Sequence, residues 1–488
     1  MLQSLLVGNG FDIQLGGQDF SNKWIIVRLL ADVLSGETDE LFASSPGGAP
    51  SVDGETVVAI INELPSLANM AVKGSYDDLQ EVVLDKDLSE SLDSFKERYS
   101  EEVKSPDEIG IEDWFLLIRL FLCEQTDLLN YYPNIEQGFR DLLLNSIYCE
   151  GKIQQLWKGV NKKTINYLNS FDQFFTVNYD NSLEKLVSKP VWHLHGDYET
   201  KLDSENPQTA RGLLRKQRGE TVWFSEKFDH CNCNALLVFS GNRKYVTAAA
   251  FSALNHTFEE LKSIYKKDSR LQFPDDFQEI IKIGNDKDLP FGYDYHFNDL
   301  KHLSGELTII GLALRNDSHI IDCINSSNVS KVIFYEYKPE KLPKDFKIPF
   351  TKDYEIRDVS ELWAQLGVYN SSYTSPSVAQ LSSHYGQNKI KTEEFISMVN
   401  GLTGGVEVDY DSLISQLQSI PEETEKSVVK CLCTELIKRE YHEKPLTKEE
   451  LTTQFQKFSS FLSVSALSPQ ALLFLYFTHK ELDSKKQA

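Results

Sequence analysis

The string LLVGNGFD at residues 5–12 constrains this chain more than any other. Leu5, Leu6 and Val7 read as a short buried strand that runs straight into Gly8-Asn9-Gly10, the turn before a helix. Glycine lacks Cβ, so a backbone at such a turn can approach a phosphate closely, and the helix start behind it offers unpaired N–H groups. The same spacing also serves a tight strand-to-helix turn that holds nothing, and both readings stand on local grounds.

A second string, FFTVNYDNSLEKLVSKPVWHLHG at residues 174–196, supplies polar groups at strand ends. Side chains alternate along an extended segment, so Asn178 and Asp180 are expected on one face and able to enter one pocket. Their alternative role is an Asx turn that closes the strand, for which Asn181 competes. His193 and His195 are likewise expected on one face, with His195 at the strand exit before Gly196. Histidine is suited to proton exchange near neutral pH, and equally to a hydrogen-bonded structural role. A third string, LTIIGLAL at residues 307–314, repeats the strand and glycine turn and is followed by Arg315-Asn316-Asp317. Asp317 is expected chiefly to cap the helix that opens near Ser318, and Arg315 is a candidate partner for phosphate.

Short β-rich runs at 174–177, 191–194, 235–240, 307–311 and 331–337 alternate with helical patterns such as 247–267 and 318–326. That alternation predicts an α/β fold with a mainly parallel sheet covered on both faces, whose ligands sit beyond the carboxyl ends of the strands. Residues 21–150 read as a helical insertion, broken by the turn-rich loop at 35–54 and by Ser105-Pro106, an N-cap and first-turn proline ahead of an amphipathic run at 111–129. Residues 366–390, rich in Ser, Tyr and Gln, read as a linker. Residues 391–488 are helical in pattern, with a capping box at Thr447 and Glu450 and a Ser468-Pro469 start to the last helix.

With 73 acidic and 50 basic residues the net charge is -23, which repels a phosphate backbone, so direct nucleic-acid binding is not expected. No segment approaches the ~20 uninterrupted apolar residues of a membrane span, and no basic region precedes an apolar run at the N-terminus, so a cytoplasmic protein is expected. The seven cysteines form no CxxC pair, and Cys231-Asn232-Cys233 with His230 lacks a second ligand pair, so no metal is expected.

Taken in order, Gly8-Asn9-Gly10, Val177-Asn178-Tyr179-Asp180, His195-Gly196 and Gly311-Leu312-Ala313-Leu314 resemble the GAG, QNID, HG and GTSL segments of the SIR2-like superfamily. The GNGFD and WHLHG wording is closer to its AbiH-like, phage-defence branch. The resemblance spans roughly residues 1–365 and implies a Rossmann-like, doubly wound parallel sheet that binds NAD, followed by an all-α C-terminal domain that it does not cover. It places the NAD diphosphate against Gly8, Asn9 and Gly10, with Asp12, Gly311, Leu312, Ala313, Arg315 and Asp317 lining the cofactor site; Asp19-Phe20 is a looser counterpart of a sirtuin PDF string. It gives Asn178 and Asp180 the nicotinamide ribose and His195 the part of base. The implied activity is NAD glycohydrolysis by an anti-phage effector held inactive as a homo-oligomer or by a separate sensor subunit. The alternatives are a non-catalytic module that senses NAD or an ADP-ribose-type signal, and an NAD-dependent protein deacylase. The last ranks lower because the four-cysteine zinc module of sirtuin deacetylases is absent. The GTSL-like turn has Leu312 and Ala313 in place of hydroxyls, so phosphate contact there would fall to backbone N–H groups.

Overall fold

The computed structural model of the chain describes residues 2–43, 50, 52–77, 86–99, 101–124, 132–202, 206, 208–217, 225–236, 242–272, 275–284, 289–314, 316–337, 339–342, 349–368, 380, 384 and 389. The chain divides into two compact units, Met1–Gly16 with Glu40–Asn370, and Gly17–Asp39 with Ser371–Ala488. The runs at 237–240, the linker from 369 and the expected C-terminal capping signals lie almost wholly outside the described residues.

In chain order the first unit opens with β1 (Gln3–Val7) and α1 (Asn9–Gly16), while α2 (Asn22–Leu34) belongs to the second unit. The helices α3 (Gly54–Val72), α4 (Lys86–Arg98), α5 (Asp113–Glu124), α6 (Tyr132–Tyr148) and α7 (Lys162–Leu168) intervene before β2 (Gln173–Thr176). Then come α8 (Ser182–Leu186), β3 (Val191–His193), α9 (Ala210–Gln217), α10 (Asn242–Lys267), α11 (Asp275–Gly284) and α12 (Phe297–Lys301). The unit closes with β4 (Ser304–Ile310), α13 (Ser318–Ser326), β5 (Asn328–Glu336), β6 (Asp353–Asp358) and α14 (Val359–Leu366).

The six strands form one all-parallel sheet in the order β3-β2-β1-β4-β5-β6. The chain therefore builds outward from β1 in one direction, returns, and builds outward in the other, so that the strand order reverses between β1 and β4. Parallel strands need cover on both faces, and the apolar runs of β1, β2 and β4 provide for it. Leu6, Phe175, Leu307 and Ile309 pack with Leu300 of α12 and Ile320, Ile321 and Ile324 of α13. Leu5, Val7, Phe174 and Ile310 face the other way, onto Phe11 of α1, Leu168 of α7 and Trp363 and Leu366 of α14. Burying these side chains contributes roughly 1.5–3 kcal/mol each.

Several boundaries differ from the sequence reading for physical reasons. Ser105-Pro106 opens only a short 3-10 turn at Pro106–Glu108, in which the Ser105 hydroxyl bonds to Asp107 at 2.6 Å and caps no helix; α5 starts at Asp113. Residues 35–54 contain a 3-10 turn, Asp39–Phe42, and end at α3, whose N-cap Asp53 accepts from Thr56 N at 2.8 Å. Val177 and Leu194 fall just beyond their strands, and Ala235 and Leu236 form no strand. The edge strand β6 was not expected, since DYEIRD carries too little apolar alternation to stand out. Its Glu355 instead bridges Lys331 of β5 and Arg357, both at 2.7–2.8 Å, a charged ladder that suits a sheet edge.

Candidate functional site

The reversal between β1 and β4 leaves two glycine turns side by side. Gly8 N donates to Ile310 O at 2.9 Å and Gly10 N to Gly311 O at 3.0 Å, while Phe11 N closes on Gly8 O at 2.8 Å. A Cβ on Gly8 would stand 2.6 Å from Gly311 O, and one on Gly10 would stand 2.6 Å from Gly311 Cα. Gly311 itself holds φ +74°, a conformation glycine adopts at little cost. The glycines are thus required by the approach of one turn to the other, and three of the N–H groups expected to face phosphate are engaged within the protein. Asn9 is exposed. Leu312 is buried in the core, Ala313 lends its carbonyl to Asn316 N and Asp317 N at 3.1 and 3.2 Å, and Arg315 lies outside the described residues.

Beside this junction Asp12, Asn178 and Asp180 meet. Asn178 and Asp180 occupy the turn after β2, past the extended segment, and they still face the same group. The Asn178 amide donates to Gly8 O at 3.2 Å, tying the end of β2 to the β1 turn, and lies beside Asp12. Burial, then the neighbouring Asp180 carboxylate, raises the Asp12 carboxyl well above its ordinary value, and burial raises Asp180 as well. Asp180 Oδ1 accepts from Ser182 N at 2.7 Å, the Asx turn that opens α8. Asn181, the rival for that task, makes no cap bond and reaches Glu199 at 3.0 Å. Asp12 Oδ1 is buried without a hydrogen-bond partner.

A second polar cluster surrounds His195, which is 4% exposed just past β3. Its Nε2 faces His319 Nε2 at 3.0 Å, and its Nδ1 lies 3.6 Å from Glu112 Oε1. Glu112 also accepts from Tyr179 OH at 3.1 Å and pairs closely with Lys244 of α10. Burial, then the Lys244 ammonium, holds the His195 imidazole well below its ordinary value; burial, then His195, does the same for His319. Both rings are neutral at pH 7. Asp317 stands at the N-cap of α13, yet its side chain makes no cap bond there, which corrects the expected capping role. Its carboxyl turns toward this cluster, and burial followed by the Glu112 charge pushes it up to about 7.

His193 and His195 do not share a partner set as expected. His193 Nδ1 bonds to Asn178 O at 3.0 Å and its Nε2 pairs closely with Glu184, because the chain turns immediately after β3. His193 and Glu184 lie on a cleft of about 700 Å³, with Asn181, Asp197, Asn234 and Tyr293 among its walls. Asn178 and His195 therefore lie in adjoining clusters, joined through Tyr179, and their side chains bond to different partners.

The sequence reading singled out Asp12, Asn178, Asp180, His195 and Asp317, and missed Glu112, Lys244, Tyr179 and His319 as members. His319 was within reach of it, two residues past Asp317 in the same turn. Glu112, in the turn before α5, and Lys244 of α10 arrive from far away in the chain, and no spacing announces them. Cys231 and Cys233 have a different use: Arg140 of α6 donates to the carbonyls of Cys231, Cys233 and Ala235 at 3.0, 2.6 and 2.8 Å, fixing that loop. The neighbouring His230 ring stacks on Tyr148. No family model, curated protein or solved structure matches this chain.

Proposed function

We propose that the chain is an NAD glycohydrolase of the SIR2-like, AbiH-like type, the cytoplasmic effector of a bacterial anti-phage system. The observation that carries this reading is the junction of two glycine turns at the reversal of a 3-2-1-4-5-6 parallel sheet, the order of Rossmann sheets, which bind dinucleotides at that point. Titratable groups gather at the same carboxyl ends of the strands, as they do in sites built for catalysis.

In this reading Asp180 and Asn178 hold the nicotinamide ribose, and the carbon–nitrogen bond to nicotinamide breaks to leave an oxocarbenium-like centre. His195, neutral at pH 7, takes the proton of the attacking water. The Glu112 carboxylate 3.6 Å from its Nδ1 favours the imidazolium that forms, and His319 on its other nitrogen can receive the proton onward. Because Gly8, Gly10 and Phe11 N–H are already engaged, the first turn of α1 meets the diphosphate chiefly through the positive end of its helix dipole. The 4% exposure of His195 fits a resting enzyme that must open to turn over, as a protein that destroys NAD requires. Self-assembly or a sensor subunit would control that opening.

The same burial also suits a module that senses NAD without cleaving it. Isothermal titration of the full chain with NAD tests the premise shared by both: one-to-one saturable binding is expected, and no binding at millimolar NAD overturns the reading. Nicotinamide release then separates enzyme from sensor.

A further inference from the structure

We infer that His195, His319 and Asp317 form a binding site for one divalent first-row transition metal of the zinc or cobalt class. The three residues come from two places, the turn after β3 and the first turn of α13, and one ligand atom of each lies within 4.8 Å of the others. All three side chains are buried. The two Nε2 atoms face each other at 3.0 Å; two imidazoles on one tetrahedral zinc, with bonds near 2.0–2.1 Å, hold their nitrogens roughly 3.3 Å apart. A shift of a few tenths of an ångström thus replaces the single proton that the two rings can share by a metal ion. Two imidazoles and one carboxylate are the donor set of borderline divalent metals and leave a coordination position open.

The surrounding charges are compatible with a cation there. Lys244 and Arg98, whose charges reach Asp317 and His319, are paired with Glu112 and Asp113, and Glu112 adds a carboxylate 3.6 Å from His195 Nδ1. His319 Nδ1 is buried without a hydrogen-bond partner, so nothing fixes that ring in its present tautomer. The inference stands on this geometry and does not need the NAD reading. One consequence does rest on it: with Nε2 on a metal the neutral His195 carries its proton on Nδ1 and has no lone pair left to take another, so the loaded protein would be silent as a glycohydrolase.

Cobalt reports on such a site without any activity. Full-length protein stripped with chelator and titrated with Co²⁺ is expected to show visible d–d absorption of low coordination number that saturates at one equivalent. His319→Ala and Asp317→Asn, with folding checked by circular dichroism, are each expected to weaken binding at least ~10-fold. His384→Ala, which removes a ligand from the separate Asp32, Glu37 and His384 group of the second unit, is expected to leave the cobalt band unchanged. Absence of the band in the wild-type chain, or its persistence at full affinity in the folded His319→Ala and Asp317→Asn proteins, overturns the inference.

Discussion

Two carboxyl groups buried against each other resist a second charge, and burial with the Asp180 charge raises the Asp12 carboxyl well above its ordinary value. Its value in the folded chain lies above its ordinary 3.8, so between the two values the folded state holds a proton that the unfolded chain has shed. The favourable contribution is complete below the ordinary value and is lost as pH rises through the folded one. Asp12→Asn, which keeps the shape without the ionisation, should therefore gain stability over the wild type as pH rises above the ordinary carboxyl value of 3.8. Urea unfolding of both proteins across that range checks it, and parallel stability curves would contradict it. At this scale the sequence was informative wherever a polar residue followed a strand, as at Asn178, Asp180 and His195. It was silent on protonation, because the raised Asp12 carboxyl and the lowered His195 imidazole come from burial that only the folded chain creates.

Elements explain why the glycines are where they are. GNG after β1 and the glycine after β4 looked like two separate turns open to phosphate, whereas they are two halves of one junction in which a Cβ has no room. Gly10→Ala drives a methyl group into the Gly311 backbone and should cost about 1–3 kcal/mol, the range of overpacking in a core. Gly159→Ala, where nothing lies within 4 Å of the new carbon, is the matching control and should change stability by less than about 0.5 kcal/mol. Equal losses in denaturant melts of the two variants would refute the packing argument. The buried strands were legible because their apolar runs are continuous. The edge strand β6 was not, since an exposed, charged edge resembles a loop in composition.

For the whole molecule, the sequence predicted an α/β fold with a parallel sheet, and the chain folds as one, six strands deep with helices on both faces. No helix among the described residues is long and apolar enough to cross a membrane. The strand order, and with it the place where the two glycine turns meet, depends on pairings among residues as far apart as Leu5 and Thr308, which local pattern does not encode. What the reversal point does chemically is decided by one assay. Full-length protein is incubated with NAD, alone and with candidate partner subunits, and free nicotinamide is quantified beside folded His195→Ala. The account predicts nicotinamide and ADP-ribose in equal amounts from the wild-type chain and a loss of at least ~100-fold in the variant. Undiminished release by His195→Ala, or NAD bound and left intact under every condition, would contradict it.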